Sequence, residues 1–333
     1  MTWALLLRLL ALFGVIALGW VGARRDLLSG AAGLRSLGNA AFLLFVPALL
    51  FRTMARVDLA ALPWRLLAAF FLPAIGWLLV VWAFQRRRLT HGGQALTLAN
   101  AARPTTRAIS VTFGNGVQMG LPFSAALFGE AGLRLQVAIV SVHALILLSV
   151  LTVLAEVDIA RAQVRDSGAR HSLLGTLAST VRQTVIHPVV LPVLVGLAWN
   201  LAGLTIPAVL DDTLQMLGQA VVPLCLVLIG ASLAQHGLGP RWRLALGLAL
   251  LKLFALPSLV LLVAHWGFGL GGLPLAVVVV AAAMPTGSNA LLFAQRYHTL
   301  EAEATAVIVL STLLFAVAVP VWLSVLGVFG SPY

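Results

Sequence analysis

Long apolar runs alternate with short arginine-bearing breaks along the whole chain. Ten of these runs, 4–22, 34–54, 66–85, 105–129, 134–154, 184–202, 213–234, 244–265, 274–296 and 303–327, approach or exceed the length of about 20 residues that a helix needs to cross a bilayer. A strand would need only about half that length. Backbone in lipid must satisfy its own hydrogen bonds, so the runs predict helices: an all-α polytopic membrane protein with ten transmembrane spans. The connections are short except for 155–183, which holds Arg161, Arg165, Asp166, Arg170 and Arg182. It parts a first five-helix repeat, 1–154, from a second, 184–333, the two forming one integrated unit.

The halves echo each other in order. Ala17-Leu18-Gly19-Trp20 in span 1 answers Gly196-Leu197-Ala198-Trp199 in span 6, and Val46-Pro47 in span 2 answers Val222-Pro223 in span 7. The run FFLPAIGWLLVVW from Phe70 answers FALPSLVLLVAHW from Phe254, which aligns Pro73 with Pro257. Met119-Gly120-Leu121-Pro122 in span 4 answers Ala283-Met284-Pro285 in span 9. A unit with five crossings reverses its starting side, so its second copy is inverted. Inverted repeats with Gly/Pro-interrupted spans at matching places are a signature of secondary transporters, whose substrates bind near the midplane.

Composition removes the soluble alternative. The chain is 61% hydrophobic and 9% charged, against about 25% charged in a soluble domain, so most of its exterior faces lipid. The excess of 21 Lys+Arg over 10 Asp+Glu does not signal nucleic-acid binding, because the arginines lie between apolar spans. Fifteen arginines follow odd-numbered spans and five lie on the other side. The positive-inside bias then puts both termini outside and loop 155–183 in the cytoplasm of a cell with an inner (plasma) membrane. Residues 1–23 have the look of a signal peptide, with Arg8 ahead of an apolar stretch, but the spans that follow would remain in the membrane. Cys225 is the only cysteine, which rules out an intrachain disulfide.

Two spans are poor helices. Span 4 reads Phe113-Gly114-Asn115-Gly116-Val117-Gln118-Met119-Gly120-Leu121-Pro122, and span 9 reads Met284-Pro285-Thr286-Gly287-Ser288-Asn289. Proline removes a backbone donor and clashes with the preceding turn. One reading is a pair of kinks with small residues for close helix packing. The other is a crossing at Pro122 and Pro285, where half-helices present free amides to an anion. The candidate contacts are Asn115, Gly116, Gln118, Gly120, Pro122, Pro285, Thr286, Ser288 and Asn289.

These residues carry a resemblance. The runs GNGVQMGLPFSAALFGEAGL from Gly114 and MPTGSNALLFAQRYH from Met284 are similar to the span-4 and span-9 signatures of the auxin efflux carrier family of membrane transporters. VPALLFRTMAR from Val46 and LGQAVVPLCLVLIGASLAQ from Leu217 also resemble family segments. The resemblance implies a ten-helix fold related to bile-acid/sodium symporters, with spans 4 and 9 crossing. It also implies an elevator motion of spans 3–5 and 8–10 against a scaffold of spans 1, 2, 6 and 7. Val117, Gln118 and His187 depart from the family pattern. Plant members carry auxin, and bacterial relatives are described as carriers of malonate or other organic acids. The expected partner is therefore a small organic anion in a lipid bilayer.

Two ionisable side chains, His143 and Lys252, lie deep inside their spans, where such groups are functional candidates. His143, in span 5, either offers a proton's charge to an anion or stays neutral on a backbone carbonyl. Lys252, in span 8, is either a substrate counter-charge or snorkels to the cytoplasmic face. No Asp or Glu falls mid-span: Glu130, Glu156, Asp211, Glu301 and Glu303 lie at span ends or in loops. A carboxylate proton relay or sodium site has no candidate, no cofactor is expected, and the coupling ion stays open between proton and sodium. The competing classes are a membrane-embedded enzyme, for which no nucleophile–base constellation is visible, and a channel, for which no polar stripe is visible. The anion, the direction of transport and the oligomeric state, a homodimer included, are left open.

Overall fold

A computed structural model describes residues 3–56, 63–91, 96–167, 190–236 and 242–328. The chain in these residues is helical throughout, with no strand beyond a single antiparallel bridge between Gly114 and Thr286. In chain order the helices are α1 Trp3–Arg24, α2 Gly30–Ala55, α3 Trp64–His91, α4 Arg103–Thr112, α5 Leu121–Ser167, α6 Val190–Leu201, α7 Ala208–His236, α8 Trp242–Gly267, α9 Gly272–Ala283, α10 Asn289–Arg296 and α11 Glu301–Val328. Among the described residues, α2, α3, α5, α8 and α11 each hold a stretch long and apolar enough to cross a bilayer, and Gly272–Ala283 and Gly14–Arg24 are shorter apolar helices.

Proline shapes several of these helices locally. The widened π turns 41–45, 116–120 and 251–255 each end two residues before a proline: Pro47, Pro122 and Pro257. A proline ring has no N–H to give and crowds the carbonyl four residues back, so the turn opens. The carbonyl that Pro257 leaves without its helical donor, that of Leu253, accepts instead from the indole N–H of Trp322 at 2.8 Å. Pro73, Pro223 and Pro320 sit inside helices that continue past them.

The helices pack as two groups. In the first, α1 lies along α7, and α2 lies against α6 and α7. Glycines set the spacing: a methyl on Gly230 would overlap the Ile16 carbonyl oxygen and stand 2.8 Å from the Trp20 amide nitrogen. Asn200 of α6 donates to the orphan carbonyls of Met54 and Ala55 at the end of α2, at 3.2 and 3.1 Å. Arg52 holds the Asp211 carboxylate at 2.9 Å, with Arg56 beside it, and these hydrogen bonds and charges keep that carboxyl below its usual range. This stabilisation is present above the ordinary carboxylate pKa and is lost as pH falls through the lowered one.

The second group contains α3, α4, α5 and α8–α11. Here α3 packs on α4, α8 on α9 and α11, and α5 on α9. Its core holds Leu78, Ile109, Leu147, Leu253, Leu275 and Phe315, each fully or almost fully buried. Arg107 ties three helices together: it grips Glu303 of α11 with two nitrogens at 2.7 and 3.0 Å and donates to Gln85 of α3 at 3.0 Å.

Helix α5 corrects one expectation. Its first limb ends at Gly129, whose φ of 63° interrupts the helix. The second limb runs on to residue 167, about 57 Å at about 1.5 Å per residue, well beyond a hydrocarbon layer of about 30 Å. Residues 155–167 of the expected loop are therefore helix, and its remainder, 168–183, lies outside the described residues. The extension buries Asp158 completely, between the indole N–H of Trp82 at 2.9 Å and the guanidinium of Arg86 at 3.2 Å.

Candidate functional site

Two breaks meet at the centre of the second group. Between α4 and α5 the chain is non-helical at 113–115, and between α9 and α10 it is non-helical at 284–288. Each break leaves a helix C-terminus with orphan carbonyls and a following N-terminus with orphan amides. Most of these groups pair with each other. The Asn115 amide donates to the Pro285 carbonyl at 2.7 Å, and the Gly287 amide donates to the Phe113 carbonyl at 2.9 Å. The Thr286 hydroxyl donates to the Ser110 carbonyl at 2.7 Å, and the Thr286 amide donates to the Ser311 hydroxyl at 3.0 Å.

The end of α9 is closed by Lys252. Its ammonium donates to the carbonyls of Ala282 at 2.6 Å and Met284 at 2.7 Å, and the residue is fully buried. A cation suits the negative end of a helix dipole. Lys252 does not reach water, which removes the snorkelling alternative, and it is not on the wall of the cavity beside the breaks. Gly114 separates it from that cavity, because a methyl on Gly114 would lie 3.5 Å from the ammonium nitrogen.

The crossing lies at Gly114 and Thr286, not at both prolines. Pro285 is in the second break, but Pro122 stands in the first turn of α5, beyond the π turn 116–120. The glycines, not the proline, open span 4. The expectation of wholly free amides also changes. Those of Asn115, Thr286 and Gly287 are taken, and among the described residues those of Ser288 and Asn289, at the start of α10, lack a backbone acceptor.

A cavity of about 280 Å³ lies between the two helix groups, against the breaks. Of the expected residues, Asn115, Gly116, His143, Ser288 and Asn289 line it, while Gly120, Lys252, Pro285 and Thr286 do not. The side chains of Gln118 and Pro122 lie outside the described set. Gly120 is packed beneath Gln136, whose amide nitrogen donates to the Gly116 carbonyl at 3.2 Å and braces the π turn. His143 has its ring 4.3 Å from that of Phe113, with Phe70 and Phe71 further out. No backbone carbonyl accepts from it among the described residues.

The rest of the wall was not expected from the sequence. It comes from α2 (Val46, Leu49, Leu50, Thr53, Met54), from the second limb of α5 (Val137, Val140, Ser141) and from Val221 of α7. These apolar residues look like any others in a membrane helix. The one signal that could have found them is the proline next to Val46 and two residues after Val221, which marks α2 and α7 as matching positions of the two halves.

Residues 4–323 match the profile of the family described as membrane transport protein. The protein named "Uncharacterized transporter YfdV" in Escherichia coli (strain K12) is 25% identical over 323 residues, covering 95% of this chain and 96% of that protein. The protein named "Putative malonate transporter" in Rhizobium meliloti (strain 1021) is 26% identical over 309 residues, covering 92% of this chain and 90% of that protein.

Proposed function

The chain belongs to the membrane transport protein family, the auxin efflux carrier group that its motifs resemble, and from that premise we propose that it is a secondary transporter of small organic anions. The observation that carries this reading is the position of the cavity. It lies where the two breaks touch, and its wall is shared between α2 and α7 on one side and α5 with the breaks on the other. A bound molecule therefore touches both helix groups, as alternating access requires. The similarity to a protein named for malonate supports an acid as cargo.

In this reading the anion's charged end meets Asn115, Ser288 and Asn289 and the two amides at the start of α10. Helices α1, α2, α6 and α7 form a stationary scaffold, and the other group moves across it as an elevator. The ten spans form the 5+5 inverted repeat, with 155–183 between the halves. No cofactor takes part, and the coupling ion is a proton or sodium. Each side-chain hydrogen bond contributes about 0.5–1.5 kcal/mol net. Asn115→Ala or Asn289→Ala should therefore weaken binding of a transported carboxylate about tenfold and leave thermal unfolding nearly unchanged. Titration of the purified protein checks this. Wild-type affinity in the double variant would remove the site from this cavity, and flux in proteoliposomes that does not saturate would indicate a channel.

The arginine distribution orients the carrier in the inner membrane with both termini outside and 155–183 cytoplasmic. A reporter fused after Tyr333 that works only in the cytoplasm should be silent. An active one reverses the orientation.

A further inference from the structure

We infer that the transported anion is a monocarboxylate with a short apolar body, and that dicarboxylates are poor cargo for this chain. The inference rests on the reading of the cavity as an organic-anion site and narrows it against the dicarboxylate in its relative's name.

The cavity has two unlike ends. At the breaks it offers hydrogen-bond donors: the side chains of Ser288 and Asn289 and the amides at the start of α10. Away from them the wall is aliphatic. The two hydroxyls on that part are already committed to their own helices. Thr53 donates to the Leu49 carbonyl at 2.7 Å, and Ser141 donates to the Val137 carbonyl at 2.8 Å. A carboxylate accepts hydrogen bonds and cannot donate them. Apart from the imidazole of His143 beside Phe113, a second carboxylate reaching into this end would find no free donor among the described residues.

The charge balance agrees. Among the described residues, no Arg, Lys, Asp or Glu stands on the wall, and His143 is the one titratable residue there. Lys252 stands behind Gly114, bonded to two carbonyls and, among the described residues, to no carboxylate. A dianion would bury its second charge unpaired against aliphatic side chains, which is strongly unfavourable. The volume of about 280 Å³ is at the small end of ligand cavities, which run from about 300 to 1,000 Å³, so the apolar body is short.

The test uses acids that differ in one charge. Monomethyl succinate and succinate, and isovalerate and malonate, are titrated into the purified full-length protein at neutral pH. The monoanion of each pair should bind about a hundredfold more tightly, the size expected for one unpaired buried charge. Diacids that bind as tightly as their partners, or more so, would overturn the inference and leave the organic-anion reading standing. If none of the four acids binds, both readings fail. Ser141→Arg places a cation at the aliphatic end and should shift the preference toward succinate. A folded Ser141→Arg protein, verified by its thermal unfolding, that keeps the full preference for monomethyl succinate would show that this end does not set the selectivity.

Discussion

Arg107→Ala should lower stability by about 3–5 kcal/mol, the range for removing one partner of a buried ion pair. The pair is nearly closed to water, with side-chain exposures of 15% for Arg107 and 6% for Glu303. Loss of the arginine leaves the Glu303 carboxylate without either of its two donors and Gln85 without its guanidinium partner. It also unties α4 from α3 and α11. Arg107→Lys keeps the charge but not the fork, so it should fall between wild type and Arg107→Ala. The double variant Arg107→Ala/Glu303→Ala should recover part of the loss, because no carboxylate is then stranded. Thermal unfolding in detergent, arranged as a double-mutant cycle, checks both orderings. Equal stability of the single and double variants would mean that the stranded carboxylate is not the source of the loss.

Gly230→Ala should be the other costly change, although it adds one methyl group. That methyl has backbone of α1 in its way, at Ile16 and Trp20, and backbone cannot rotate aside as a side chain can. Helices α1 and α7 must separate along their shared face, and overpacking of this kind costs about 1–3 kcal/mol and at times more. Gly76→Ala in α3 is the control. Nothing lies within 4 Å of the methyl there, and replacing glycine inside a helix with alanine is worth up to about 1 kcal/mol in propensity. The two substitutions should move the unfolding midpoint in opposite directions. A midpoint for Gly230→Ala at or above wild type would show that α1 and α7 are not locked through this contact.

Much of the architecture was readable before any coordinates, because lipid leaves few options for an apolar run of some 20 residues. The two breaks were readable for the same reason: Gly114-Asn115-Gly116 and Pro285-Thr286-Gly287 are poor helix formers inside long apolar stretches. What proline does at each position was less legible. Pro73 and Pro257 align between the halves, yet Pro73 sits in a continuing helix and Pro257 follows a π turn. Whether a turn opens depends on which neighbour can take the freed carbonyl, and Trp322 is 65 residues away from Pro257 in the chain. The carbonyl partners of Lys252 were not legible for a related reason. A lysine inside a span suggests either ligand or water, and only the fold shows two bare carbonyls at the end of α9 within its reach. The aliphatic half of the cavity gave no polar pattern to find.

The two hydrogen bonds between the breaks bear on how the protein is made. Phe113 and Asn115 emerge from the ribosome long before Pro285 and Gly287, so a chain completed only through its first half has part of its broken span without partners. The Phe113 carbonyl, the Ser110 carbonyl and the Asn115 amide then have no strand or hydroxyl to meet them, in a setting where each unmet backbone group is costly. Assembly must keep that segment among other helices or near the aqueous face until the second break arrives. The cavity between the helix groups is accordingly among the last features to form, and a chain truncated before the second break lacks part of its wall.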